Sequence, residues 1–377
     1  MATRYRAAFI RGGTSKALVF HASDLPADRQ QWDAIFLRAM GSPDAYGRQL
    51  NGMGGGVSSL SKVCVVGPPS VAGADVDYIF AQVQVQQAAV DYSGNCGNMS
   101  SAIGPFAVDE GLVQVADGQA CVRIHNTNTR KIIHATFAVA NGRSVEDGAL
   151  AIPGVHGSAA PVRLDFLAPG GATTGRLLPT GRATDVLQLP EAGAFQVSLI
   201  DAANACVFVD AASLGLRGNE MPADLAQNGR VLELLAQLRA HGSVAMGITA
   251  TPAEARKNNF IPLIAVVSPP QDAVTLDGQN IAAADADLVV RMLSNGQPHN
   301  ALPLTGALCA AVAMQIDGAL PHRLAREGRD ARALRLSMPS GVLTVAADVQ
   351  GAEDGWTAHA GSFFRTTRRL FDGFVYA

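Results

Sequence analysis

Two stretches constrain this chain more than any other feature: MSSAIGPFAVDEGLV, beginning at Met99, and ALCAAVAMQIDGAL, beginning at Ala307. Both are built of small and apolar residues on most helical faces, and both end near a glycine. A helix without a polar face has no side to offer water, so protein must enclose it. Each is also entered through a polar loop: Ser93-Gly-Asn-Cys-Gly-Asn98 for the first, and Gln297 through Gly306 for the second. Two ordinary core helices would satisfy the pattern. The repetition of loop and helix favours a duplicated unit, each copy a curled mixed β-sheet around one central helix. The class expected is therefore α/β (α+β). At 377 residues the chain exceeds the usual size of one core, which also argues for two domains.

Composition supports buried sheets. Hydrophobic residues make up 48% and charged residues 16%, while 39 glycines and 19 prolines provide for tight turns and short strands. A net charge of -3 gives no footprint for nucleic acid or for an anionic membrane, although local groups can still bind a small anion. No segment reaches the roughly 18 apolar residues of a membrane span, and the first residues do not read as a signal peptide. The five cysteines, Cys64, Cys96, Cys121, Cys206 and Cys309, are odd in number and scattered. They read as reduced thiols, and the cytoplasm is the expected compartment.

Short β-branched runs read as strands: AAFI before Arg11, ALVF at 17–20, VCVVG at 63–67, DVDYIFAQVQV at 75–85, CVRIHN at 121–126, KIIHATFAV at 131–139, FQVSLI at 195–200 and CVFV at 206–209. Helical periodicity marks 30–40 and 224–244. The turn-rich passage Pro169 to Gly181 reads as the connection between halves. It places the domains at 1–184 and 185–377, with the last strand returning to the first half.

Four segments are too polar and glycine-rich for packing alone. In Arg11-Gly12-Gly13-Thr14-Ser15-Lys16, adjacent glycines let backbone N–H groups approach an anion and Thr14 and Ser15 add hydroxyls; a plain hairpin turn is the other reading. In Asn51-Gly-Met-Gly-Gly-Gly-Val-Ser-Ser-Leu-Ser-Lys62, Gly55 and Ser58 lie in a donor-rich loop that leads Lys62 onto a strand. Lys62 is either a solvated strand-end lysine or a desolvated general base. In the third segment Cys96 stands at a helix entrance, where a thiolate is stabilised and free N–H groups receive a carboxylate. Gly94 and Gly97 allow close approach there, and Asn95 and Asn98 can cap or bind; an incidental cysteine beside a cap is the alternative. The fourth segment, His299 to Gly306, would aim the second helix at the same cleft, with Thr305 at the place corresponding to Cys96. Cys309 lies a turn inside and reads as core, and His299 is as readily structural as ligand-binding.

Other candidates carry less. His125-Asn-Thr-Asn-Thr-Arg-Lys131 is a hairpin turn or a rim contact, and Arg365-Thr-Thr-Arg368-Arg369 reads first as a solvated face and second as part of a site or subunit contact. No metal-ligand spacing, nucleophile elbow or dinucleotide fingerprint is present.

RGGTSK, NGMGGGVSSLSK, DYSGNCGNMSSAIGPFAVDEGLV, HNTNTRK, PHNALPLTGA and the closing RTTRRLFDG, in this order, resemble the PrpF-type isomerases. That family includes 2-methylaconitate cis–trans isomerase, methylitaconate delta-isomerase and 4-oxalomesaconate tautomerase, and shares the diaminopimelate epimerase-like fold. SGNCGNMSSAIGPFA and HNTNTRK stand closer to the methylitaconate-type members. The resemblance implies two similar halves, each a sheet around a central helix, and an acid/base pair of lysine and cysteine that matches Lys62 and Cys96. It implies no cofactor and no metal. The partner it implies is a small anionic di- or tricarboxylate, and a homodimer is the assembly expected. Epimerases of this fold use a cysteine from each half. Thr305-Gly306 departs from that pattern, so proton shuffling between unlike groups fits better than two-thiol racemisation. An amino-acid epimerase and a non-catalytic accessory to a dehydratase are the rival readings.

Overall fold

The apolar runs of the first segment pair into one sheet because their alternation leaves one face for each of two helices. β1 (Arg4–Gly12) turns back on β2 (Ser15–His21), with Gly12 opposite Ser15. β2 runs parallel to β3 (Lys62–Gly67), with Ala17 beside Lys62. β3 is antiparallel to β4 (Val76–Val83), which also pairs with the short β5 (Val90–Asp91). β4 is parallel to β6 (Gly118–Asn126), which forms a hairpin with β7 (Lys131–Ala140). The C-terminal strand, Thr367–Tyr376, comes back to pair antiparallel with β1. The computed structural model describes residues 3–92, 95–190, 192–257, 261–294, 296–352 and 355–377.

Period-two alternation decides what each face carries. Val63 and Val65 of β3, with Ile79 and Ala81 of β4, join Trp32, Ile35 and Phe36 of α1 (Trp32–Met40) in one core cluster. The valine, isoleucine and phenylalanine side chains among these each contribute roughly 1.5–3 kcal/mol when fully buried. The intervening residues, Lys62 and Cys64 with their partners Gln82 and Phe80, therefore face the other way. On that side lies α2 (Gly97–Asp109), whose residues from Met99 to Val108 are all buried. β1, β2, β3, β6, β7 and the C-terminal strand all touch α2, so the expected enclosure is present.

The chain divides into two compact units, residues 1–165 with 364–377, and residues 166–363. The change falls at 165 rather than near 184. The turn-rich passage packs onto the second unit: Gly171 N–H donates to Asp201 O at 2.8 Å and Ala203 N–H to Pro169 O at 2.7 Å.

In the second unit the hairpin of strands Gly193–Ala202 and Asn204–Asp210 continues in parallel to Leu263–Ser268, which pairs antiparallel with Leu288–Ser294. The expected helix at 224–244 is two, α3 (Pro222–Gln227) and α4 (Gly229–Ala245), followed by α5 (Pro252–Lys257). Asn228 makes the break: its ψ is 78° and its side chain accepts from Val231 N–H at 3.2 Å, capping α4 inside the periodic stretch. α4 packs with Val197, Leu199, Val207 and Val266 in one cluster. The second apolar helix, α6 (Leu304–Ala313), touches Gly193–Ala202, Asn204–Asp210 and strand Gly341–Ala352, and is buried from Gly306 onward. Among the described residues no helix is long and apolar enough to cross a membrane.

Glycines set how close each central helix lies to its sheet. A Cβ on Gly104 would stand 2.8 Å from Phe137 Cε1 and 3.0 Å from the Ala135 Cβ. Alanine there would gain about 1 kcal/mol of helix propensity, but overpacking a core costs about 1–3 kcal/mol. Gly104→Ala is accordingly expected to lower stability in urea unfolding, and an unchanged or raised midpoint would show that α2 has room to shift.

Candidate active site

Lys62 opens β3 with its side chain on the α2 face, and only 7% of the residue is exposed. An ammonium this enclosed needs partners. Its Nζ donates to Gln82 Oε1 at 2.5 Å and lies 5.0 Å from the centre of the Phe80 ring. The Gln82 amide has one way to point, because its Nε2 donates to Ser58 O and Ser61 O, each at 3.0 Å. The oxygen must then turn to Lys62. The loop before β3 thereby holds the lysine through its carbonyls rather than through its serine hydroxyls.

The same loop winds around Gln49, which accepts from Gly56 N–H at 2.9 Å and from Ser61 Oγ at 2.6 Å. A Cβ on Gly54 would sit 2.2 Å from Gln49 Oε1, and one on Gly55 would sit 2.7 Å from Leu60 Cδ1. Close packing thus accounts for Gly54 and Gly55, and Gly56 N–H is already engaged. Ser58 is exposed.

Cys96 is the N-cap residue of α2, half-buried, with its thiol free and no capping bond from its side chain. Gly97, Asn98 and Met99 form the first turn, where backbone N–H groups have no carbonyl to bond within the helix. Asn95 Oδ1 accepts from Ser100 Oγ at 3.2 Å and from Asn126 Nδ2 at 3.3 Å, which ties the loop to β6. Ser93 and Gly94 lie outside the described residues.

The RGGTSK segment is a hairpin turn, and it also reaches this helix entrance. Gly13 has φ +53°, and a Cβ there would meet Asn98 Oδ1 at 2.3 Å; one on Gly12 would meet Asn98 O at 2.6 Å. Only glycines let the tip lie so near α2. Asn98 Nδ2 donates to Thr14 Oγ1 at 3.1 Å, while Ser15 is buried. Arg11 closes the turn from behind, its Nη1 donating to Gly13 O at 3.0 Å and Thr366 O at 2.9 Å.

Electrostatics link these elements. Burial pushes the Cys64 thiol up; Cys96 adds to the rise, and the Tyr78 hydroxyl and Lys62 ammonium act against it. Burial likewise pushes Tyr78 well up, with Cys64 and Cys96 contributing. Lys62 from β3 and Cys96 from α2 therefore both act on the Cys64 thiol, which lies 3.9 Å from the Tyr78 hydroxyl. The arrangement sets an amine and three weakly acidic groups in one electrostatic neighbourhood beside the first turn of α2.

The basic cluster near the C-terminus is not the solvated face expected first. Arg365 is 8% exposed: its Nε donates to Asn98 Oδ1 at 3.0 Å and its Nη1 to Phe364 O at 2.9 Å. Burial lowers the guanidinium to about 10, and Cys96 opposes the fall. Arg369 turns inward to Glu110 at 2.7 Å, and Arg368 stays exposed. Arg368 and Arg369 lie on the strand returning to β1, and Arg365 ends the strand before it, Gly355–Arg365, a placement that their sequence position does not announce. The 125–131 run is a hairpin turn joining β6 to β7, in which Asn128 accepts from Phe80 N–H at 2.9 Å and braces β4.

In the second unit, Thr305 is exposed at the start of α6 and accepts from Asn204 Nδ2 at 3.4 Å. A Cβ on Gly306 would lie 2.3 Å from Met292 Sδ, so packing requires that glycine. His299 is half-buried, and burial lowers its pKa. Cys309 is fully buried, donates to Ile200 O at 3.4 Å and neighbours Cys206.

A family model described as PrpF protein matches residues 2–377. The chain belongs to the PrpF family. Among its PrpF relatives, 3-methylitaconate isomerase of Eubacterium barkeri is 39% identical over 369 residues, covering 97% of this chain and 95% of that protein. A 2-methyl-aconitate isomerase of Shewanella oneidensis is 38% identical over 380 residues, covering 98% and 96%. The crystal structure of a methylitaconate-delta-isomerase matches with TM-score 0.92 at 38% identity, covering 100% of this chain and 96% of its own. This PrpF chain thus has the fold of that methylitaconate-delta-isomerase.

Cys64, Tyr78 and Gln82 lie outside the motifs that the sequence singles out, whereas Arg365 belongs to the C-terminal basic cluster whose second reading is part of a site or a subunit contact. Strand alternation from Lys62 gives a signal for Cys64; nothing local marks Gln82. Gln82→Met should free the lysine while leaving the core filled. Turnover is expected to fall about 10-fold or more, with a much smaller change in thermal midpoint. Unchanged turnover would remove Gln82 from the positioning of Lys62.

Proposed function

We propose that this protein, an isomerase by its family, moves a proton along the allylic unit of an unsaturated di- or tricarboxylate of methylaconitate, methylitaconate, aconitate or oxalomesaconate type. What supports the reading is that the buried Lys62, at the start of β3, and Cys96, at the N-terminus of α2, both act electrostatically on the buried Cys64 thiol. Lys62, in its neutral amine form, takes a proton γ, or α, to the unsaturated carboxylate and becomes the ammonium. The electron pair of the broken C–H bond spreads over the allylic unit as a dienolate. A proton then forms a new C–H bond at the far carbon, and the double bond shifts; rotation in the intermediate allows cis–trans change. Cys96 is the proton donor or the electrostatic anchor. The first-turn N–H groups at Gly97 and Asn98 receive a carboxylate as its negative charge grows.

Gly13, Thr14, Ser15, Gly55, Ser58, Asn95, His299, Thr305 and Gly306 are the proposed substrate-binding residues. For Gly55 and Gly306 the packing described above is a sufficient cause, so their support is weakest. The burial of Cys309 favours this reading over an epimerase that needs a second working thiol. Five free cysteines support a reducing compartment, the cytoplasm.

A panel of 2-methylaconitate, methylitaconate, aconitate and oxalomesaconate followed by NMR in deuterium oxide tests the assignment. Deuterium is expected at an allylic carbon of at least one member. Exchange confined to an amino-acid α-carbon would overturn it. Lys62→Met and Cys96→Ala should each reduce turnover by about 100-fold or more, and near-normal rates in either variant would strip that residue of its role.

A further inference from the structure

We propose that Asn126, at the end of β6, is a positioning residue for the reaction: it orients the Asn95 amide so that Nδ2 faces a substrate carboxylate at the entrance of α2. The inference rests on the proposed binding role of Asn95 and deepens it. The turn after β6 grips the loop before α2 at two points. Asn128 Nδ2 donates to Tyr92 O at 2.6 Å, and Asn126 Nδ2 donates to Asn95 Oδ1 at 3.3 Å. Asn128 is itself seated on β4, accepting from Phe80 N–H and donating to Phe80 O, both at 2.9 Å.

Each amide in this chain has a settled direction. Asn126 is fully buried, and its Oδ1 accepts from Thr129 N–H at 2.8 Å and from Thr129 Oγ1 at 2.7 Å. Its Nδ2 is thereby the branch that meets Asn95. Asn95 Oδ1 receives that bond and lies 3.2 Å from Ser100 Oγ, whose one hydrogen is shared with Cys96 O at 3.1 Å. Asn126 and Ser100 are both 0% exposed, while Asn95 is half-buried. The Asn95 oxygen is therefore turned into the protein, and its Nδ2, on the other branch of the amide, is left for the entrance. There it joins the first-turn N–H groups of Gly97 and Asn98, so the donors gathered at the helix end suit an anion. Orientation decides the sign of the contact. The reversed amide would set an oxygen against the carboxylate and repel it.

Asn126→Asp keeps the size of the side chain and the bonds from Thr129, but sets a carboxylate oxygen against Asn95 Oδ1. The Asn95 amide is then expected to turn over. Tricarballylate, a saturated tricarboxylate with no double bond to shift, reads this by calorimetry without turnover. Its dissociation constant should rise about 10-fold or more in Asn126→Asp, since a hydrogen bond to a charged group is lost. In an Asn95→Ala background the same change should cost less than about 2-fold, because the residue through which Asn126 acts is gone. A purely structural role, or direct repulsion by the new carboxylate, would weaken binding equally in both backgrounds. Equal losses, no loss in either background, or no binding of tricarballylate to the unaltered protein would overturn the proposal. If Asn126→Asp does not fold, a crystal structure of the unaltered protein with tricarballylate decides the matter. A carboxylate oxygen is expected within about 3.2 Å of Asn95 Nδ2, and the absence of that contact would overturn the proposal. Loss of allylic exchange with this binding pattern intact would instead count against the isomerase reading.

Discussion

An apolar helix enclosed by its own sheet is the constraint from which the rest of the first unit follows. α2 has no face for water, so strands close on it, and its entrance is the place where polar groups can gather. That entrance carries Cys96, a first turn whose N–H groups have no carbonyl to bond within the helix, and Asn98, whose amide joins the β1–β2 hairpin to Arg365. β3 must present one set of alternate residues to the same helix, and the set begins with Lys62. Fold and chemistry meet there because enclosure removes water while the helix end supplies fixed donors.

Burying a lysine and an arginine in one unit is expensive, and each is held by neutral hydrogen-bonding groups whose own orientation is settled elsewhere. Gln82 cannot turn away from Lys62 without losing two carbonyls, and Asn98 cannot turn away from Arg365 without losing Thr14. Such second contacts reduce the reorganisation needed when charge moves in the site.

Much of this was legible from residue patterns. The eight strand runs, the two apolar helices and the helix entrance at Cys96 follow from periodicity, glycine placement and the behaviour of helix ends. Lys62 stands out because three glycines and three serines precede it, although the structure assigns those glycines to wrapping Gln49 and packing Leu60. What stayed hidden depends on pairing between distant strands. Gln82 meets Lys62 only because β4 is in register with β3, and Arg365 meets Asn98 from the end of strand Gly355–Arg365, 267 residues along the chain. The break at Asn228 was hidden for another reason: helical periodicity continues through a cap whose evidence is one side-chain bond. The unit boundary was displaced because turn-rich residues 169–181 pack on the strand that follows them.

The central claim is that one small polyanion lies between the Lys62 amine and the entrance of α2. A crystal structure of the Cys96→Ser protein with bound methylitaconate tests it most directly. The account predicts a carboxylate oxygen within about 3.2 Å of a first-turn N–H of α2 and an allylic carbon facing Lys62 Nζ. A ligand seated instead in the open groove beside α1, against Arg38, Tyr46 and Leu50, with Lys62 still turned only to Gln82, would contradict it.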